Sequence, residues 1–234
     1  MKIYTFQQGF NYSQDGPGNR LVLHLQGCNM RCPWCSNPEG IPMGEDAKST
    51  REISELIEYA VRCKPMFFDD GGVTLTGGEP TVQYDAVAEF LQQCKSAGIH
   101  TCIETNGTHP KLPELYPYID HLIIDFKHPH DDAHKQLTGL GNAQVKRNIE
   151  AAQGRQLHVR FILLHGHNTH LAQDYIDFFT QLDTTPMTFE LLSYHEFGRE
   201  KWDDYAFEAA FVPEETLQHI AKELSSAGLT LVNT

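Results

Sequence analysis

Three cysteines fall within eight residues, Cys28-Asn29-Met30-Arg31-Cys32-Pro33-Trp34-Cys35, spaced C-x3-C-x2-C. Three thiolates on one short loop can hold three corners of an iron–sulfur cube; a cage made wholly of protein needs a fourth. The next cysteine is Cys63. A cube bound here would therefore keep one iron open to a small molecule. Two other readings use the same residues. Structural zinc usually takes four ligands, often as two separated pairs. Three clustered cysteines fit that poorly, with His24 nearby but set in an alternating strand. Six cysteines also allow a disulfide framework, but three thiols this close pair awkwardly among themselves, and a 234-residue chain needs no staples.

The cysteine loop must be carried by something, and the flanking residues read as strands and helices in alternation. Lys2–Phe6 is a strand candidate and runs into Asp15-Gly16-Pro17-Gly18-Asn19-Arg20. That is a tight turn with exposed backbone, placed one strand before the cysteines and so suited to the mouth of a site. Leu21–Gln26 reads as a buried strand. Ser49 or Thr50 is a candidate cap for a helix burying Ile53, Leu56, Ile57, Ala60 and Val61. Gly72–Thr76 is the next strand, with Gly77-Gly78-Glu79-Pro80 at its C-terminal end, where two glycines let a ligand approach the backbone. A helix follows with Ala86, Val87, Phe90, Leu91 and Cys94 inward, ended by Ala97-Gly98.

His100–Glu104 is a strand tipped by Thr105-Asn106-Gly107, and His121–Lys127 another, ending in Asp125 and Lys127. Barrels place their chemistry at such strand ends. Helical segments follow near 131–137 and 143–153. Leu157–Leu164 is a strand whose Arg160 calls for an anionic partner or a polar mouth. The run His165-Gly166-His167-Asn168-Thr169-His170 has the residue type of a metal site but neither a helical His-x3-His face nor a nearby carboxylate. A helix over Leu171–Leu182, a strand over Met187–Leu192, a helix over Glu214–Ala227 opened by Pro213 and ended by Gly228, and an edge strand over Leu229–Val232 complete the chain.

About six β-then-α steps argue a parallel sheet wound by right-handed crossovers. The fold class expected is α/β, a partial (β/α)6 TIM-type barrel open on one side, because the chain is shorter than the roughly 250 residues of a full eight-unit barrel. No long apolar run predicts a membrane span, and the N-terminus lacks a signal-peptide core. The expectation is a cytoplasmic, thiol-reducing setting. A formal net charge of −13 disfavours a nucleic-acid backbone as partner.

Taken together, these landmarks resemble the radical S-adenosylmethionine (SAM) superfamily, whose C-x3-C-x2-aromatic-C pattern matches Cys28, Cys32, Trp34 and Cys35. Within it, the chain resembles the glycyl-radical-enzyme activating enzymes. The residues carrying this are Asp15-Gly16-Pro17-Gly18, the three cysteines, Gly72–Gly78 with Glu79, Gly98-Ile99-His100-Thr101-Cys102, Asp125-x-Lys127, Val159-Arg160 and Tyr194-His195-x-x-Gly198-x-x-Lys201-Trp202. The resemblance implies a [4Fe-4S] cluster on Cys28, Cys32 and Cys35, with the amine and carboxylate of SAM chelating the open iron. It implies SAM contacts from Gly77, Gly78 and Glu79 at the methionine end, from Trp34 and Ser36 at the adenosyl end, and from Asp125, Lys127, Arg160 and His195. Glu104 and Thr105 align with a monovalent-cation site, although Glu104 stands where the family's type enzyme has aspartate. Ser36 likewise stands where that enzyme has histidine.

No side chain is assigned a conventional acid–base role, because cluster and SAM carry the chemistry, generating a 5′-deoxyadenosyl radical in an anaerobic reaction. The implied partner is a glycyl radical enzyme whose glycine loop faces Asp15, Gly16, Pro17 and Gly18. Flavodoxin or ferredoxin would give the electron, and the protein would act as a monomer. The Cys-Pro-Trp-Cys-Ser-Asn-Pro-Glu wording is similar to activases with a ferredoxin-like insert, but Glu39–Arg51 holds no cysteine, so residues 1–234 are expected to be a single radical SAM domain with one cluster. Two further readings stand beside this one. The first is a radical SAM enzyme of the 7-carboxy-7-deazaguanine synthase kind, acting on a small molecule. The second is a non-catalytic iron–sulfur or zinc module, which would need neither the Gly-Gly-Glu nor the Asp-x-Lys landmark.

Overall fold

In a computed structural model, residues 1–43 and 50–232 are described. The elements in chain order are β1 (Lys2–Tyr12), β2 (Asn19–Leu25), β3 (Thr50–Glu52), α1 (Ile53–Cys63), β4 (Gly72–Gly77), α2 (Tyr84–Ser96), β5 (Thr101–Thr105), α3 (Leu112–Leu115), β6 (His121–Phe126), α4 (Asp131–Thr138), α5 (Ala143–Ala151), β7 (Leu157–Leu163), α6 (Ala172–Phe179), β8 (Met187–Ser193) and α7 (Glu214–Ser226).

The strands form one sheet in the order β3-β1-β2-β4-β5-β6-β7-β8. β2, β4 and β5 pair in parallel, as do β7 and β8. Six strands, β2 and β4–β8, supply the expected βα repeat. The sheet is open: among the described residues no strand joins β3 to β8. This is the expected partial-barrel class, extended by two antiparallel strands: β1, which continues the expected Lys2–Phe6 strand to Tyr12, and β3, which the sequence does not announce.

Two compact units divide the chain, one from Met1–Asn29, Asn37–Thr105 and Lys111–Ile123, the other from Met30–Ser36, Asn106–Pro110 and Ile124–Thr234. In the first, β1 and β2 form a hairpin from Thr5↔Leu25 to Tyr12↔Asn19, with a register shift between Thr5 and Gln7. The Asp-Gly-Pro-Gly turn is the loop of that hairpin. β2 is buried almost throughout, with Leu21, Leu23 and Leu25 at 1% exposure or less, as a strand covered on both faces must be. In α2 all five residues expected inward are buried, and Gly98 ends the helix at φ +63°.

α1 departs from expectation at both ends. Thr50 lies in β3 and Glu52 occupies the cap position, while Ser49 lies outside the described residues. The buried face is Ile53, Leu56, Ala60 and Cys63; Ile57 is half-buried and Val61 is exposed, because the contact stripe follows i, i+3, i+7 and i+10 from Ile53.

The second unit has an aromatic core. Phe161 packs on Tyr175 at 4.6 Å and on Phe189 at 5.7 Å between ring centroids, and Phe179 meets Phe189 edge-on at 4.9 Å. α7 buries Ile220 and Leu224. The edge strand expected over 229–232 is reduced to a single parallel bridge, Phe189↔Leu231. No helix among the described residues is long and apolar enough to cross a membrane.

Candidate functional site

In the first unit, the end of β2 and the end of β4 are zipped together by backbone. The Gly78 N–H donates to Leu25 O at 2.8 Å, Glu79 N–H to Gly27 O at 2.7 Å, Gly27 N–H to Gly40 O at 2.8 Å and Cys28 N–H to Ile41 O at 3.0 Å. The first cysteine is therefore held directly against the Gly-Gly-Glu turn. A Cβ on Gly78 would stand 2.2 Å from Gly27 O, and one on Gly77, at φ +114°, 2.3 Å from Leu25 N. The glycines that the sequence suggested for ligand approach are also demanded by this strand-to-loop contact.

Glu79 is 1% exposed. Its Oε1 accepts from Thr81 N at 3.0 Å, from the Thr81 hydroxyl and from the Thr105 hydroxyl at 2.7 Å. Glu104 Oε2 accepts from the Thr76 hydroxyl at 2.7 Å. Glu79, Glu104 and Thr105, all expected at the site, thus lie together at the C-terminal ends of β4 and β5. Thr76 and Thr81, which orient them, carry no distinctive signal in the sequence: Thr81 is a threonine two residues from Glu79, and Thr76 is 28 residues from Glu104.

The hairpin loop is pinned by Arg20, to which the sequence alone assigns no role. Arg20 is fully buried. Its guanidinium donates to Thr74 Oγ1 at 2.6 Å, Val73 O at 2.7 Å and Pro17 O at 3.0 Å, and to His100 Nδ1 at 3.3 Å. Thr74 in turn donates to Asp15 O at 2.7 Å. Burial lowers the Arg20 pKa, opposed by the charges of Asp120, Asp15 and Glu104 among others. His100, which accepts from Arg20, has its own pKa lowered by burial and then by that neighbouring cation. The signal was present: an arginine directly before a run as apolar as 21–25, once buried with it, must find hydrogen-bond acceptors.

In the second unit, Cys32 is buried and Cys35 half-buried, and a turn bond from Cys35 N–H to Cys32 O spans 3.1 Å. At the end of β6, Lys127 Nζ lies 2.8 Å from Asp125 Oδ2, with Lys127 only 9% exposed. Its backbone is fixed by Asn168, whose amide donates to Lys127 O at 3.0 Å and Ile162 O at 2.7 Å. The histidine-rich run thus contains a structural asparagine. Arg160 meets the anionic partner its sequence position calls for: its Nε donates to Glu190 Oε2 at 2.9 Å, and His158 Nε2 donates to the same oxygen at 3.0 Å. Burial alone would raise the Glu190 pKa; the bond from His158 and the charge of Arg160 outweigh it and leave the carboxylate lowered. His195 stacks on Phe197 at 4.2 Å, its pKa lowered by burial. His134, in α4, is fully buried with Nδ1 donating to Leu140 O at 2.6 Å, and burial holds its pKa at about 4.

None of the six cysteines is in a disulfide. Among the described residues no three His, Cys, Asp or Glu side chains gather as around one metal ion, the histidine run included. The thiolates of an iron–sulfur cube each bind a different iron and need not gather at one point.

An open, largely parallel α/β sheet with a C-x3-C-x2-C loop after its first βα strand defines the class. Residues 22–180 match the model of the Radical SAM superfamily, and the chain belongs to that superfamily, within it to the activating-enzyme type. It is 33% identical over 202 residues to the pyruvate formate-lyase-activating enzyme of Streptococcus mutans serotype c, covering 81% of this chain and 76% of that one. To the enzyme of the same name from Staphylococcus epidermidis it is 32% identical, covering 80% and 79%. Among solved structures, a domain of pyruvate-formate lyase-activating enzyme from Bacteroides vulgatus aligns with TM-score 0.60 at 22% identity, over 69% of this chain and 98% of that one. Streptococcus suis SuiB bound to S-adenosylmethionine aligns with TM-score 0.67 at 15% identity, over 90% and 51%. Both likenesses concern the fold.

Proposed function

We propose that this chain activates a glycyl radical enzyme, such as pyruvate formate-lyase, using a [4Fe-4S] cluster and SAM. The observation that carries the reading is the attachment of the cysteine loop to the Gly-Gly-Glu turn, Glu79 N–H to Gly27 O at 2.7 Å, in a chain one-third identical to enzymes of that name. Cys28, Cys32 and Cys35 would hold the cluster, and their donor set, three thiols outside any disulfide, suits it. When bound and reduced, the cluster would supply the single electron that breaks a C–S bond of SAM, giving methionine and a 5′-deoxyadenosyl radical.

The protein's own residues bind and orient. Gly77, Gly78 and Glu79 would take the methionine end of SAM, with the buried Glu79 carboxylate opposite its ammonium. Trp34 and Ser36 would face the adenosyl end. Asp125, Lys127, Arg160 and His195 would complete the binding set, with Arg160 already neutralised by Glu190. Glu104 and Thr105 would hold a monovalent cation. Asp15, Gly16, Pro17 and Gly18 would meet the partner's glycine loop, on a hairpin turn that Arg20 holds through Pro17 O at 3.0 Å.

The reading includes flavodoxin or ferredoxin as electron donor, a cytoplasmic monomer, and one radical SAM domain across 1–234, in keeping with a family match that runs through both compact units. Incubation with SAM, a low-potential reductant and a glycyl radical enzyme should produce a glycine-centred EPR doublet on the partner. Steady turnover of a small metabolite with no protein partner would instead establish the 7-carboxy-7-deazaguanine synthase kind of chemistry.

A further inference from the structure

The segment after β8 runs against the cysteine loop inside the second compact unit. The indole N–H of Trp202 donates to the carbonyl of Cys35 at 3.0 Å. Gly198 lies so close that a Cβ there would stand 2.5 Å from the Cα of Ser36 and 2.6 Å from Cys35 O. Its φ is −92°, open to any residue, so glycine is required here by the contact and not by the backbone angle. Phe207 adds a ring contact to Trp34 at 5.5 Å. The segment is itself anchored. Tyr194 N–H donates to Leu163 O at 2.9 Å, the Tyr194 and Tyr205 hydroxyls share a bond of 2.7 Å, and the Arg199 guanidinium sits 5.6 Å from the Tyr205 ring.

We infer that Gly198 and Trp202 are positioning residues that clamp the Cys35–Ser36 peptide, and so set the aim of the third cluster ligand and the place of Ser36 at the adenosyl end of SAM. The inference rests on the reading of Cys28, Cys32 and Cys35 as cluster ligands. The Cys35 N–H is bound to Cys32 O, and the Cys35 carbonyl is bound to Trp202. With both flanking peptide planes held, the Sγ is directed by χ1 alone. The first bond is local to the loop; the second comes from a residue 167 positions away. The cysteine loop is therefore not self-sufficient, and the C-terminal segment completes it.

The test uses the full chain, reconstituted anaerobically, with Trp202→Phe, which keeps the ring and removes the N–H, and Trp202→Ala, which removes both. Both proteins, and the wild type, are titrated with SAM, and the EPR spectrum of the reduced cluster is recorded with and without it. Trp202→Phe should keep the wild-type iron content and lose no more than about 2–4 °C of melting temperature. Its SAM dissociation constant should rise about five- to tenfold, the worth of one hydrogen bond, and the SAM-induced change in its EPR spectrum should shrink. Trp202→Ala should be affected at least as strongly. A Phe variant that matches the wild type in SAM affinity and EPR response, with only the Ala variant impaired, would overturn the inference, since bulk alone would then matter. A wild type that takes up no cluster would overturn the reading beneath it, and its iron content shows that separately.

Discussion

Replacing Cys32 with alanine should reduce SAM cleavage to background while leaving the fold in place. The two halves of that expectation have different causes. A cube held by three thiolates and a small molecule has no spare protein ligand, so losing one leaves two. The chain offers no substitute, because Cys63, Cys94 and Cys102 are buried in the first unit, and burial alone pushes the Cys94 thiol up to about 12, far from the thiolate a metal requires. The fold loses little. Cys32 is 8% exposed and alanine deletes one atom, a cost of about 1 kcal/mol. Iron per chain and 5′-deoxyadenosine formation should both collapse, with the far-UV circular dichroism spectrum unchanged. A variant that still cleaves SAM would remove Cys32 from the ligand set.

The second large effect is expected at Gly78. An alanine Cβ there would meet Gly27 O at 2.2 Å and Gly40 O at 2.6 Å. Both are backbone atoms with hydrogen bonds to the Cys28 segment or the Gly-Gly-Glu turn, so neither can swing aside as a flexible side chain would. Either the turn separates from the loop carrying Cys28, or the β4 end distorts. Overpacking of this kind costs about 3 kcal/mol, and for a chain of this size that lowers the melting temperature by roughly 6–12 °C. Gly9→Ala is the control: it sits in β1 with nothing within 4 Å of the added carbon. Thermal melts of the reduced, metal-free variants should separate the two, and the Gly78 variant should also take up less iron on reconstitution. Equal melting temperatures would mean that the turn and the loop are not packed as described.

What the sequence disclosed follows from what each signal depends on. The cysteine spacing is covalent and needs no fold to be read. α2 was legible because its five buried residues recur with helical periodicity and Gly98 closes it. β1 was read only as far as Phe6, because Gln7–Asn11 carries no apolar alternation; its second half exists through pairing with β2. The partner of Arg160 could not be named because Glu190 faces it only through the β7–β8 register, Arg160↔Glu190, which no local pattern encodes. Trp202 was noticed as part of a motif, but its target, the Cys35 carbonyl, is set by the tertiary fold. Val61 was misassigned because the helix begins at Ile53, behind Glu52, and the buried stripe is counted from there.

The central claim is a cube held by three thiolates with one iron left for SAM. Its most direct test is the metal content of the purified chain after anaerobic reconstitution with iron and sulfide. About four irons per chain are predicted, with an EPR signal of the reduced cluster that changes on adding SAM. One zinc per chain in a tetrahedral site, or thiols that remain fully titratable after reconstitution, would contradict it.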